Sequence, residues 1–145
     1  MTATAMIDST SLDGAELYLD AGLPGFPGAH RFRLLPWGDT EGPFSLLMCQ
    51  DAEELAFVVV RPEPFFPDYL PQIDRATADR LGLVRASDAI VYVIVTLGPT
   101  PLEATVNLLG PLVVNGRNRL AAQVVLEGDA SNVRTPLISR TASIS

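Results

Sequence analysis

A chain of 145 residues, 48% of them apolar, can close one hydrophobic core without help from crosslinks and is too short for two. Its single cysteine excludes an internal disulfide, and no apolar run approaches the roughly 18 residues of a membrane helix. Ten basic residues, all arginine, stand against 17 acidic ones, a net charge of −7 that repels phosphate backbones and excludes direct nucleic-acid binding as the expected function.

The opening residues carry no basic stretch ahead of an apolar segment, so no secretory signal is read there and the cytoplasm is the expected address. Residues 1–14 are expected to be a flexible segment, 15–136 one β domain and 137–145 a flexible tail, because both ends are rich in Ser, Thr and Ala. Short β-rich runs bounded by Gly, Pro, Asn or Asp follow one another, predicting strands over 16–19, 30–35, 44–49, 55–60, 89–97, 102–108, 111–114 and 120–126. That pattern predicts an all-β fold, a small antiparallel barrel-like domain with one short helix.

Gly22, Leu23, Pro24, Gly25 and Phe26 follow the first strand, with Pro and Gly placed as a type II turn requires. In the next strand Arg31 and Arg33 alternate with Phe32 and Leu34, which predicts one wet face. Cys49 ends an apolar run and reads as a buried, inert thiol. Asp51, Glu53 and Glu54 then form an acidic turn without the alternating oxygen ligands and Gly of a calcium loop.

Prolines 62, 64, 67 and 71 make residues 61–71 an irregular connection that carries Phe65, Phe66 and Tyr69. These aromatics are expected either to close the barrel's open end or to form a protein-binding patch. A helix is predicted over 75–81, with Asp74 as N-cap and Gly82 at its C-terminal end. Residues 90–95 are apolar throughout and mostly β-branched, as suits a central strand covered on both faces. Asn115 and Gly116 are expected to supply the left-handed geometry of a hairpin turn.

Catalytic machinery is not evident. His30 is the only histidine, no Gly-x-Ser-x-Gly elbow or phosphate-binding glycine loop occurs, and one Cys with one His cannot make a usual zinc site. The expectation is therefore no enzyme, no metal and no cofactor. A competing reading is a small-ligand or flavin-binding barrel, against which stands the scatter of the arginines.

The run Gly22 to Phe26 with Phe32, Leu34, Leu35 and Pro36 resembles the opening of the flagellar assembly factor FliW family. Phe57, Val58 and Val59 with Pro62, Pro64, Phe65 and Phe66 are similar to its central segment, as is Val91 to Thr96. Thr105, Asn107 and Leu108, then Pro111 to Asn115 and Gln123 to Leu126, continue the likeness, which spans residues 15–136. The resemblance implies a barrel-like fold, a monomer when free, and two protein partners: flagellin and the RNA-binding translational regulator CsrA. Family members act as a partner switch, in which export of flagellin frees the factor to bind CsrA and lift repression of flagellin synthesis. Phe65, Phe66 and Tyr69 are the expected apolar contacts, and Glu53 and Glu54 the expected acidic ones. Gly22, Pro24, Gly25, Phe26, Asn107 and Asn115 match family positions and are expected to shape turns and backbone.

Overall fold

The computed structural model describes residues 14–23, 25–37, 43–52, 54–100 and 103–137. The termini, Pro24, Glu53 and the start of the strand expected at 102–108 lie outside the described residues. Among the described residues nine strands form one sheet: β1 (Glu16–Leu19), β2 (Arg31–Pro36), β3 (Phe44–Cys49), β4 (Ala56–Val60), β5 (Ala89–Thr96), β6 (Thr105–Val106), β7 (Leu112–Asn115), β8 (Leu120–Gln123) and β9 (Thr135–Pro136). Seven of them close on themselves in the ring β4-β3-β2-β1-β8-β7-β5, sealed by a β4–β5 pairing.

Closure fixes the one departure from an antiparallel barrel. Each strand of the ring runs antiparallel to the next in chain order, and an odd number of strands leaves the first and last pointing the same way. β1 and β8 accordingly pair in parallel, Tyr18 opposite Leu120 and Leu19 opposite Ala121.

Every second residue points inward and the inward set is apolar. Leu17, Leu19, Phe32, Leu34, Leu47, Cys49, Val59, Tyr92, Leu112 and Val114 fill the barrel, and Arg31 is exposed on the outer face of β2. The outer face of β4 and β5 is apolar as well and carries a second cluster of Val60, Val93, Val95, Ala104, Val106 and Leu137. This explains the uninterrupted apolar run of β5, which has the barrel core on one side and the connection to β4 on the other.

That connection contains α1 (Arg75–Leu81), as its local signals predict. The Asp74 carboxylate accepts from the Thr77 amide at 3.0 Å, and Gly82 ends the helix at φ 72°. Leu81 anchors it on Val113, Ala122 and Val124 of the barrel exterior. Packing must supply most of the helix's stability, because seven residues are too few to hold an isolated helix in water.

Besides β9, which is not predicted from the sequence, three elements differ from the sequence expectations. β6 holds only Thr105–Val106, because Val93 and Ile94 of β5 face the five-residue run 107–111, too long to stay in register. β8 stops at Gln123, although Val124 and Leu126 still donate to the carbonyls of Pro111 and Leu109. The left-handed residue in the β7–β8 hairpin is Arg119, at φ 69°, and not Asn115 or Gly116.

Candidate protein-binding surface

Residues 61–71 lie as a strap across the barrel. Pro62 accepts from the amides of Phe65 and Phe66 at 2.9 and 2.7 Å, and Phe66 accepts from Tyr69 at 3.0 Å, so the prolines and these turns together set the path. The three aromatic side chains are half-buried against the second cluster. Tyr69 also donates its hydroxyl to the Leu108 carbonyl, tying the strap to the run 107–111, and burial pushes the phenol pKa up to about 12. Phe65, Phe66 and Tyr69 thus close over apolar strand surface and turn only part of their area outward.

The strap and α1 do not meet over β5. Between them lies an open cleft of about 520 Å³, floored by Ala89 and Val91 and walled by Pro62, Pro67, Tyr69, Pro71, Ile73 and Leu83. Leu70 and Val84 stand on its rim with 83% and 75% of their surface exposed. Among the described residues Glu63 and Arg85 are its only charged lining residues. Two strongly exposed aliphatic side chains lining one apolar cleft are, among the described residues, the feature best suited to receiving another protein. Neither was singled out in the sequence. Leu70 follows Tyr69 inside the proline-rich run and Val84 stands two residues past the helix-ending Gly82, where no periodicity marks a face.

A second cleft, of about 340 Å³, shares Tyr69, Leu70 and Pro71 with the first and continues over Leu108, Leu109 and Leu126. At the far end of that path the barrel opens in a mouth that includes Phe26, Phe57 and Val125.

The expected acidic contacts lie elsewhere, in the β3–β4 turn. Glu54 is exposed, and Glu53 is outside the described residues. Asp51 is engaged: its carboxylate accepts from the Arg31 and His30 amides at 2.9 and 3.0 Å and from the Arg31 guanidinium at 3.1 and 3.2 Å. The Arg31 amide, then the His30 amide and the Arg31 side chain, hold its carboxyl below the usual aspartate range. Among the described residues Glu54 has no ion-pair partner. His30 is held in the fold, with Nδ1 2.9 Å from the Leu19 carbonyl and its ring stacked on Tyr18.

Of the residues expected to shape the backbone, Pro24 is outside the described residues. Gly22 has φ 69° and Gly25 φ 85°, and the Phe26 amide donates to the Leu23 carbonyl at 2.7 Å across the turn. The Phe26 ring meets Phe57 edge-on with centroids 6.1 Å apart. Asn107 Oδ1 accepts from the Leu109 amide at 3.0 Å. Asn115, 1% exposed, accepts from the Arg117 amide and donates to the Leu81 carbonyl.

Among the described residues no helix is long and apolar enough to cross a membrane, and no group of three His, Cys, Asp or Glu could hold a metal ion. Comparison with known proteins places the whole arrangement. Residues 2–137 match the family model described as FliW protein. The chain is 39% identical to the flagellar assembly factor FliW of Bacillus licheniformis over 116 residues, 80% of each chain. It is 35% identical to that of Bacillus subtilis over 121 residues, 83% of this chain and 84% of the relative. A crystal structure of the flagellar assembly factor FliW superposes with a TM-score of 0.79 at 30% identity, covering 86% of both chains. With a match reaching from β1 through β9 in sequence and the same barrel in space, the chain belongs to the FliW family of flagellar assembly factors.

Proposed function

We propose that this chain couples flagellin synthesis to flagellin export by binding two proteins in turn, flagellin and the translational regulator CsrA. It acts without catalysis, in the cytoplasm, and as a monomer when free. The observation that carries the reading is the cleft between strap and helix, with Leu70 and Val84 exposed on its rim, in a member of a flagellar assembly family. An amphipathic segment of flagellin fits such a site by laying its apolar stripe over Val84, Leu70 and the cleft floor. Phe65, Phe66 and Tyr69 add to the contact chiefly by holding the strap in place, since much of their area is turned inward.

For CsrA the argument is electrostatic. A protein of net charge −7 set beside a basic RNA-binding surface disfavours RNA through like-charge repulsion even where it does not cover the RNA site. Glu53 and Glu54 are the acids assigned to that contact.

The deciding experiment is a binding assay with cognate flagellin and CsrA, separately and in competition. Micromolar or tighter binding of each, with flagellin displacing CsrA, is expected. Failure to bind either protein at micromolar concentration sinks the reading. Reversing Glu53 and Glu54 to Lys should weaken CsrA binding and RNA release while leaving flagellin binding unchanged, and an unaltered RNA release would remove the electrostatic mechanism.

A further inference from the structure

One stretch of strand edge is left open where the ring closes. On one side β8 follows β7 in register, Leu112 opposite Gln123, and the Val124 and Leu126 amides carry that register on to the carbonyls of Pro111 and Leu109. Successive residues of an extended chain turn their N–H and C=O to opposite edges, so those of Gln123 and Val125 face the side of β1. β1 pairs there only as far as Ala121, because the chain then turns at Gly22. Among the described residues nothing donates to or accepts from the main chain of Gln123 or Val125. Natural edges are blunted by a charge or a proline, yet residues 123–126 read Gln-Val-Val-Leu, and Val125 is 79% exposed.

Each face of this edge has its own cleft. On the inner face lies the barrel mouth of about 450 Å³, walled by Phe26, Phe57 and Ile94, with no charged residue among those described. On the outer face, where Ala122 lies under α1, a cleft of about 350 Å³ passes Gly22 and Gly25 and has Arg80 as its one charged residue among those described. Leu23 and Gln123 line both clefts, so the two meet at the edge itself. A strand laid along the edge sends alternate side chains into one cleft and the other. The inner cleft gives a charge no counter-ion and suits apolar residues, whereas Arg80 favours an acidic residue on the outer side.

We propose that a partner protein adds an extended segment to the open edge of β8, its main chain paired with Gln123 and Val125, apolar side chains in the barrel mouth and an acidic one beside Arg80. The inference rests on the reading that this chain binds proteins, and adds a strand contact to the cleft between strap and helix. The occupant is a partner and not a second copy, because two chains of net charge −7 repel each other. Main-chain hydrogen bonds supply the affinity of such an added strand and the alternating clefts its selectivity.

The test is amide hydrogen exchange, followed by nuclear magnetic resonance on the full chain, with and without the blocked tetrapeptide N-acetyl-Ile-Glu-Phe-Thr N-methylamide. In the free chain the Gln123 and Val125 amides should exchange faster than those of Val124 and Leu126, and the peptide should slow them at least about tenfold. The same peptide N-methylated at every residue keeps its side chains but loses its main-chain donors, and should bind at least about tenfold more weakly. Arg80→Gln, at an exposed position, should weaken the peptide about threefold and leave its Gln-for-Glu counterpart unchanged. Equal binding of the N-methylated peptide, or no added protection at Gln123 and Val125 with about 10 mM peptide, overturns the strand addition. Protection of these amides that grows with protein concentration in the absence of peptide assigns the edge to a second copy and likewise overturns it. Flagellin and CsrA binding are measured on the same sample. A chain that binds both partners and leaves the edge unprotected by the peptide overturns the strand addition alone, whereas one that takes up the peptide and neither partner upholds the edge and overturns the partner assignment.

Discussion

Asn115 on β7 holds Leu81 at the end of α1: its Nδ2 donates to the Leu81 carbonyl at 2.8 Å, across 34 residues of sequence. The last carbonyls of a helix lack partners within it, and here Asn115 and Asn118 both supply one to the same oxygen. Asn115 Oδ1 simultaneously accepts from the Arg117 amide at 2.8 Å and shapes the hairpin turn. Replacing it with Ala should therefore cost about 2 kcal/mol, since it leaves a small void, removes the buried bond to the Leu81 carbonyl and orphans the part-buried Arg117 amide. Urea denaturation measures this. Asn118→Ala, at an exposed position, should cost less than half as much, and an equal cost would show that the burial of Asn115 adds nothing.

Gly22 and Gly25 both have left-handed backbone in one turn, but their surroundings differ. A Cβ on Gly22 would lie 2.7 Å from the Pro27 carbonyl oxygen and 2.8 Å from that of Phe26, whereas one on Gly25 meets nothing within 4 Å. Gly25→Ala should cost about 1 kcal/mol, the conformational penalty alone. Gly22→Ala adds a clash with backbone that has no side-chain rotamer to yield, so its cost should exceed 2 kcal/mol on the order of magnitude set by overpacking and strain. Comparing the two thermal midpoints checks the order, and equal midpoints would contradict it.

Much of this architecture is legible in the chain because its signals are local. Asp74 and Gly82 mark both ends of α1 within a few residues, and the alternation of Arg31, Phe32, Arg33 and Leu34 announces the inner face of β2. What depends on partners distant in sequence is not legible. β9 is two residues, Thr135–Pro136, paired to β6 at the sheet's edge, and buried Leu137 follows it, where composition alone suggests a loose tail. The left-handed turn residue is Arg119 because Asn115 belongs to the strand and faces the helix. For the binding surface, aromatic residues draw attention in a sequence, yet Phe65, Phe66 and Tyr69 turn toward core while the plainer Leu70 and Val84 stand in solvent.

Stability should fall at both ends of the pH range. The Arg31 and His30 amides hold Asp51 below its ordinary pKa of 3.8, Thr77 does so for Asp74, and Ser131 for Asp129. A carboxylate whose pKa is depressed by folding stabilises the protein above 3.8, and that contribution disappears as the pH drops below this value and the folded groups protonate. Asp51→Asn should flatten the acid limb of urea midpoint against pH, and an unchanged limb would show that Asp51 does not contribute to it. Tyr69 acts in the other direction. Burial raises its pKa from 10.0 to about 12, so its contribution is complete below pH 10 and is lost as the pH rises through 12. In an ultraviolet titration a tyrosine ionisation step should occur near pH 12, and Tyr69→Phe should remove that step.

Leu70 and Val84 can be separated from Phe65 and Phe66 by what each pair does when truncated. Leu70→Ser and Val84→Ser alter side chains that are 83% and 75% exposed, so each should change stability by less than about 0.5 kcal/mol. If the cleft receives flagellin, the double variant should lose about 2 kcal/mol or more of binding, close to thirtyfold in Kd. Phe65→Ala and Phe66→Ala remove rings packed on Val60, Val95 and Val106, and each should lower stability by about 2 kcal/mol, less than a fully buried phenylalanine would. Their effect on flagellin binding should follow the loss of strap order and shrink at low temperature, where the folded fraction recovers. Titration calorimetry with flagellin, together with urea midpoints for all four variants, distinguishes the pairs. If the phenylalanine variants keep full stability and lose binding while the Leu70 and Val84 variants bind normally, the contact surface is the strap's aromatic side and not the cleft beside it.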